Sequence, residues 1–182
     1  MNVTQRLKDE HQLILKYVAL LDRYLRAMRS NAAKRTSLAP KLYQFISFIQ
    51  EFADKYHHAK EENILFQYME RPHVLAHCNP LPQMLYEHDN GRTYVQEMIA
   101  ALEKNEIESA ITSAYGWLHL LSDHIHKEDN ILYPMGEEGL NEEDKQEILK
   151  DYAQAEEKHR GAELEAKYRA LLSDLERELK HD

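Results

Sequence analysis

The chain has 182 residues, a formal net charge of -9 at pH 7 and a sequence pI near 5.7. This acidic balance, without a dense run of Lys or Arg, argues against nucleic acid as a partner. No apolar run reaches the ~20 residues that span a bilayer, and the N-terminus lacks a secretory-signal pattern, so we predict a cytoplasmic protein without a membrane partner.

The composition favours long helices. Hydrophobic residues make up 43% of the chain, enough for a real core, and only 5 Gly and 5 Pro interrupt it. A bundle-type apolar seam runs from Leu7 to Met28 and includes His11. A second helix is expected to begin after Ser37, with Pro40 in its first turn, and to run to about residue 70.

Two more core helices follow. The third is predicted from about Leu81 to Lys104, and the fourth from about residue 106 to Tyr133, ending at Pro134 before a turn at 136–139. Beyond this turn, Asn141 and Asp144 resemble the N-cap of one long, charged last helix. We therefore predict an all-α, up-down-up-down four-helix bundle over residues 1–135. We expect residues 136–182 to form a C-terminal helical extension packed on the same domain.

A duplicated motif is the strongest functional signal in the sequence. Residues 57–66 read HHAKEENILF and residues 124–133 read HIHKEDNILY. Each segment places a His four residues before a Glu, so both side chains share one helical face. A Glu-His pair lies upstream of each segment, at 10–11 and 87–88. This order predicts two halves of one metal site.

Helical rotation of about 100° per residue separates inward from outward candidates. It places His58 and Glu62 on a solvated face of the second helix, and His126 on the outer face of the fourth. The predicted inward set draws six side chains from four helices: His11, His57, Glu61, His88, His124 and Glu128.

Six ionisable groups in one core require compensation, which metal ions provide. Four imidazoles and two carboxylates suit first-row transition metals better than calcium or magnesium. Two ions bridged by the glutamates are the simplest arrangement. Taken singly, an inward His is more often a core residue than a metal ligand, and a single His-Glu pair is equally often a surface interaction. A ferritin-like site would require Glu-x-x-His on two core helices, which this chain lacks.

Over about residues 1–135 the chain resembles the hemerythrin-like domain of the His-His-Glu cation-binding type. The resemblance implies a bundle holding two non-haem iron ions, with manganese or zinc as possible substitutes, joined by two carboxylates and an oxo or hydroxo bridge. The resemblance implies that the six inward residues are the metal ligands. Met84 stands where oxygen-carrying hemerythrins have a further His, which makes the set similar to the di-iron domain of iron-sulfur cluster repair proteins.

Three functions remain open. The first is binding of O2, NO or peroxide for sensing, detoxification or iron handling. The second is an enzyme of cluster repair or of nitrogen-oxide or peroxide reduction. The third is a structural bundle with a stabilising metal only, forming a homodimer. The dimer hypothesis rests on outward-facing Phe48, Phe52 and Phe66, which either the last helix or a second copy must cover.

Five further residues have two interpretations each. Arg92 either pairs with a glutamate in the interior or lies on the surface. Gly91 either opens a path for a small ligand or permits close helix packing. His73, His77 and Cys78 lie in a proline-bounded connection, where an auxiliary metal or redox site competes with an ordinary loop. As the only cysteine, Cys78 excludes an intrachain disulfide.

Overall fold

The computed structural model describes residues 1–181, with side chains to Lys180. The helices are α1 (Gln5–Ser30), α2 (Ala32–Leu38), α3 (42–69), α4 (Leu81–Glu103), α5 (107–139), α6 (Glu142–Lys158) and α7 (Gly161–His181). No strand occurs in this part of the chain, which confirms the all-α prediction. Across the same residues, every helix is too short or too polar to cross a membrane.

Two of the helices are not α-helical throughout. In α3, π-helical turns occupy Ile49–His58 and Glu61–Leu65, and in α5 one occupies Glu128–Leu132. A π turn is wider than an α turn, so each residue rotates less about the helix axis. These wide turns coincide with both copies of the duplicated motif.

The predicted end of the fourth helix was wrong. The helix α5 continues through Pro134 to Gly139 instead of turning there. A proline inside a helix usually clashes with the carbonyl four residues earlier. Here the preceding turn is widened, with the N–H of Tyr133 donating to the carbonyl of Glu128 five residues back, and the ring is accommodated.

The hydrophobic core has two parts, one toward each end of the bundle. Leu7 and Leu132 belong to one cluster, and Ile14 and Ile125 to the other. The duplicated motif and its partner histidines lie between these clusters along the helices. Packing of α4 along α5, and of α1 against α5, joins the helices around them.

The C-terminal extension is helical, as predicted, and a break at residues 159–160 divides it into α6 and α7. Asn141 caps α6 as predicted, accepting from the N–H of Asp144 at 2.9 Å. The helix breaks at Arg160, whose φ is 52°, and the chain continues in the same direction along α3, since Tyr68 bonds to Asp151 of α6 and Glu51 to Lys167 of α7. Gly161 follows, and an added Cβ there would lie 2.4 Å from the Tyr56 hydroxyl, so only Gly permits this approach.

Helix α7 covers the outer phenylalanines. The Tyr168 ring lies 5.2 Å from the Phe48 ring and 6.2 Å from the Phe52 ring, centroid to centroid. Phe66 is also buried, in the cluster that contains Tyr152 of α6. These rings give no reason to expect a second copy, and homodimer formation stays a prediction.

Candidate metal centre

The structure brings all six predicted residues into one buried cluster. Each is at most 2% exposed. His11 and His57 face each other with their Nε2 atoms 2.9 Å apart, and His88 and His124 do the same at 2.9 Å. We call His11 with His57 the first half-site, and His88 with His124 the second.

Two carboxylates lie between the half-sites. Oε2 of Glu61 is 3.6 Å from Nε2 of His57 and 3.6 Å from Nε2 of His88. Glu128 places Oε2 3.4 Å from Nε2 of His11 and Oε1 3.1 Å from Nε2 of His124. Each glutamate therefore reaches both half-sites, as a bridging ligand must.

Four further carboxylates orient the imidazoles. Each accepts a hydrogen bond from the Nδ1 of one ligand histidine: Asp129 from His11 (2.8 Å), Glu10 from His57 (2.9 Å), Glu62 from His88 (2.7 Å) and Glu87 from His124 (2.9 Å). With the proton on Nδ1, every Nε2 presents a lone pair to the interior. Two such acceptors 2.9 Å apart repel each other unless a proton or a metal ion lies between them.

Buried carboxylate oxygens at the centre also need a proton or a metal ion as partner. Among the described residues, Oε2 of Glu61 and both carboxylate oxygens of Glu128 are buried without a hydrogen-bond partner. Buried carboxylates without partners are strongly unfavourable. Metal ions would satisfy these oxygens and the inward Nε2 atoms together. Two groups of nitrogen and oxygen donors, each with its atoms within 4.8 Å of one another, fit two ions: His11, His57, Glu61 and Glu128, and His58, Glu61, His88 and His124.

Without a metal, protons would have to balance the charges. Burial opposes protonation of His11, but its hydrogen bond to Asp129 and the charge of Glu128 raise its pKa to about 9. Burial also opposes protonation of His124, and the charge of Glu128 raises its pKa to about 10. Burial and the charge of His11 hold the pKa of His57 well below its usual value. Burial and the Glu128 charge raise the pKa of Glu61 well above its usual range. Metal ions would displace such protons.

A buried lysine pairs with the Glu10 carboxylate. Lys60 is 1% exposed, donates to Glu10 and lies 3.9 Å from Glu156 of α6. Burial lowers the pKa of Lys60 against the opposing effect of Glu10. Lys127 makes the corresponding bond to Glu87 in the second half-site. Both lysines occur within the duplicated motif.

Tyr133 is a site residue that sequence reasoning missed. Its ring stacks on His11 with centroids 5.6 Å apart, and its hydroxyl donates to Glu61. Burial and the charge of Glu128 raise its pKa well above the usual range, so it stays protonated. The sequence did contain a signal for it, because Tyr133 ends the second copy of the duplicated motif at the position that Phe66 occupies in the first.

The prediction that His58 and Glu62 are solvated was wrong. His58 is 8% exposed and its ring stacks on His88 at 3.8 Å, while Glu62 is half-buried and bonded to His88. The π turns of α3 rotate both side chains inward from where a regular helix would place them. His126, by contrast, is exposed as expected.

The other singled-out residues lie outside the ligand cluster. Arg92 is half-buried and pairs with Asp54, Glu62 and Asp89. His73 is 3.7 Å from Asp144, and Cys78 is exposed. Neither belongs to a metal-competent group among the described residues.

Comparison with known proteins agrees with this geometry. The model of the hemerythrin HHE cation binding domain matches residues 2–136, which contain all six clustered residues. No curated protein and no solved structure gave a match to the chain.

Proposed function

Because the chain belongs to the hemerythrin HHE cation-binding family, which binds metal cations, we propose that it is a non-haem di-iron protein. Its carboxylate-bridged centre would bind a small ligand such as O2, NO or peroxide. One observation carries this proposal: two pairs of imidazole Nε2 atoms face each other at 2.9 Å around carboxylate oxygens that have no other partner. Mixed imidazole and carboxylate ligands suit iron.

The ligand count supports a role in small-molecule binding. Each half-site supplies two imidazoles and shares two glutamates, which leaves positions open on a six-coordinate ion. When bound, iron would supply a site at which a diatomic molecule coordinates. Sensing, detoxification and iron handling all follow from such binding.

A second candidate function is reduction of peroxide or nitrogen oxides. Tyr133 favours it, because a protonated phenol beside the bridging Glu61 is a possible proton source within the centre. Consumption of many equivalents of peroxide per centre, with an electron donor present, would distinguish turnover from binding. Iron-sulfur cluster repair would require recovery of activity in a damaged cluster enzyme.

Metal content per chain tests the main proposal. We expect two irons after anaerobic loading and, on exposure to air, near-ultraviolet absorption typical of a bridged centre. His57→Ala should lose at least one iron, whereas the control His126→Ala changes an exposed His and should keep both. Wild-type protein without stoichiometric iron would contradict the proposal.

A further inference from the structure

A cavity of about 180 Å³ lies beside the second half-site. Its inner end is lined by His88, His124 and His58, and its outer end by the exposed Gln50 and Gln96. That volume equals roughly six waters at about 30 Å³ each. His11 and His57 do not line it. The cavity connects the surface with one half-site only.

The internal duplication explains why only one side is open. Aligning His11 with His88 places Ile14 opposite Gly91, and aligning His57 with His124 places Ile125 opposite His58. Both isoleucines are buried in the hydrophobic core. On the first side, therefore, branched apolar side chains stand at the positions that border the cavity on the second.

Gly91 leaves open space beside the cavity and is not needed for close packing of the helices. A Cβ added there would lie 3.9 Å from Leu120 and from Trp117, which is ordinary van der Waals contact. Its helix is regular, without a positive φ that would require glycine. The absence of a side chain at this position therefore widens the cavity.

His58 lies over the second half-site, with a donor atom within 4.8 Å of those of Glu61, His88 and His124, but its ring orientation disfavours a shared ion. Its ring is nearly parallel to His88, at an interplanar angle of 13° and a centroid distance of 3.8 Å. An ion bound by two imidazoles lies near both ring planes, and stacked parallel planes cannot share it. His58 Nδ1 is buried without a hydrogen-bond partner, and Asp54 Oδ1 is 3.6 Å away. The ring thus has hydrogen-bonding capacity left for a ligand.

The charges at this cavity disfavour anions. The lining contains one Arg and no Lys, and this residue, Arg92, is paired with Asp54, Glu62 and Asp89. Three carboxylates against one guanidinium leave a negative potential at the entrance, which repels anions. The remaining wall includes apolar Val95, which suits a small neutral molecule.

We propose, building on the di-iron function proposed above, that exogenous ligand reaches the centre only at the second half-site. A small neutral ligand of the O2, NO or hydrogen peroxide class enters past Gly91 and forms a hydrogen bond with His58. His58 is a ligand-contacting residue and not a metal ligand. The first half-site, closed by Ile14 and Ile125, holds its metal for structure and charge balance.

Two variants place the isoleucines of the closed half-site at the matching positions of the open one. Gly91→Ile fills the entrance, and association of NO with ferrous-loaded protein should slow by about tenfold or more. His58→Ile removes the hydrogen bond, and affinity for NO should fall about tenfold through faster release. Both should retain two irons. The control His126→Ile should leave rates and iron content unchanged. If Gly91→Ile does not fold, Gly91→Ala, whose Cβ fits, should slow association by a smaller factor.

Xenon supplies a readout that needs no metal. Crystals of the metal-free full chain under xenon pressure should show xenon in the cavity, and Gly91→Ile crystals should not. Unchanged NO rates in both variants, or a wild-type cavity without xenon, would overturn the proposal. Loss of one iron in His58→Ile would also overturn it, by making His58 a ligand. Wild-type protein that binds no iron refutes the di-iron function instead, while xenon still decides the cavity.

Discussion

The two half-sites have matching ligands and different surroundings. Each pairs two imidazoles, whose Nδ1 atoms donate to carboxylates, and each includes a lysine bonded to one of those carboxylates. Around the first, Tyr133 stacks on a ligand histidine and Ile14 belongs to the core. Around the second, Phe66 stacks instead and Gly91 borders a cavity.

This difference separates two requirements. Binding two metal ions needs the same donors on both sides, so the duplicated ligands are alike. Access for an external ligand needs an opening on only one side, and an opening on both would expose the buried carboxylates. The C-terminal helix α6 adds to the asymmetry. Its Glu156 is 2.7 Å from Arg6 and lies near Lys60 on the first side.

The largest effect is expected from removing the bridging carboxylate that serves both half-sites. Glu128→Ala should lose both metals, because its oxygens approach one histidine of each pair. It should also lose the metal-dependent stabilisation, about 4 kcal/mol at metal a thousandfold above the dissociation constant. Metal analysis and thermal melts with and without metal measure this. Retention of one metal would show that the half-sites bind independently.

A lysine comparison tests how differently the two sides are buried. Lys60→Ala removes the buried cation bonded to Glu10 and leaves only the partly exposed Arg6, 3.3 Å away, so it should cost about 3 kcal/mol of unfolding free energy. Lys127, about a third exposed, makes the same bond to Glu87, so Lys127→Ala should cost below about 1 kcal/mol. Urea denaturation of both variants measures the difference. Equal losses would contradict the asymmetry.

The pH dependence of the metal-free protein tests the proton-balanced centre. The pKa values of His11 and His124 rise from 6.5 to about 9 and about 10. Their contributions to the unfolding free energy are therefore complete below pH 6.5. They disappear as the pH rises through 9 and 10, lowering the unfolding free energy by on the order of a few kcal/mol. In metal-loaded protein, metal replaces these protons and stabilisation should not decline over that range. Denaturation at several pH values, with and without metal, checks both curves.

A smaller effect than those of Glu128→Ala and Lys60→Ala should come from making the aromatic pair alike. Tyr133→Phe copies Phe66 and removes the hydrogen bond to Glu61, at a cost of about 1.5 kcal/mol in metal-free protein. Iron content should stay at two, because no ligand is lost. Calorimetry measures the loss of stability, and metal analysis measures the iron content. A loss of iron would show that Tyr133 positions the bridging carboxylate for the metal.

Much of the fold and the cluster was predictable because the relevant patterns are local. His57 and Glu61, four residues apart, share a face whether the turn is α or π. The apolar seam around His11 shows which side of α1 faces the core. The break at Arg160 was not predictable, because it depends on a positive φ and on the approach of Gly161 to Tyr56.

The sequence by itself determined an all-α chain and the duplicated His and Glu positions that the structure brings together, since helical periodicity and spacing are local properties. Only the tertiary structure decided that His58 faces the centre, that Tyr133 bonds to Glu61 and that one half-site borders a cavity. The physical reason is that these features depend on wide π turns and on contacts between helices far apart in the chain. A helical projection from sequence assumes that every residue rotates by the same angle about the helix axis. This assumption fails where packing around buried charges widens a turn.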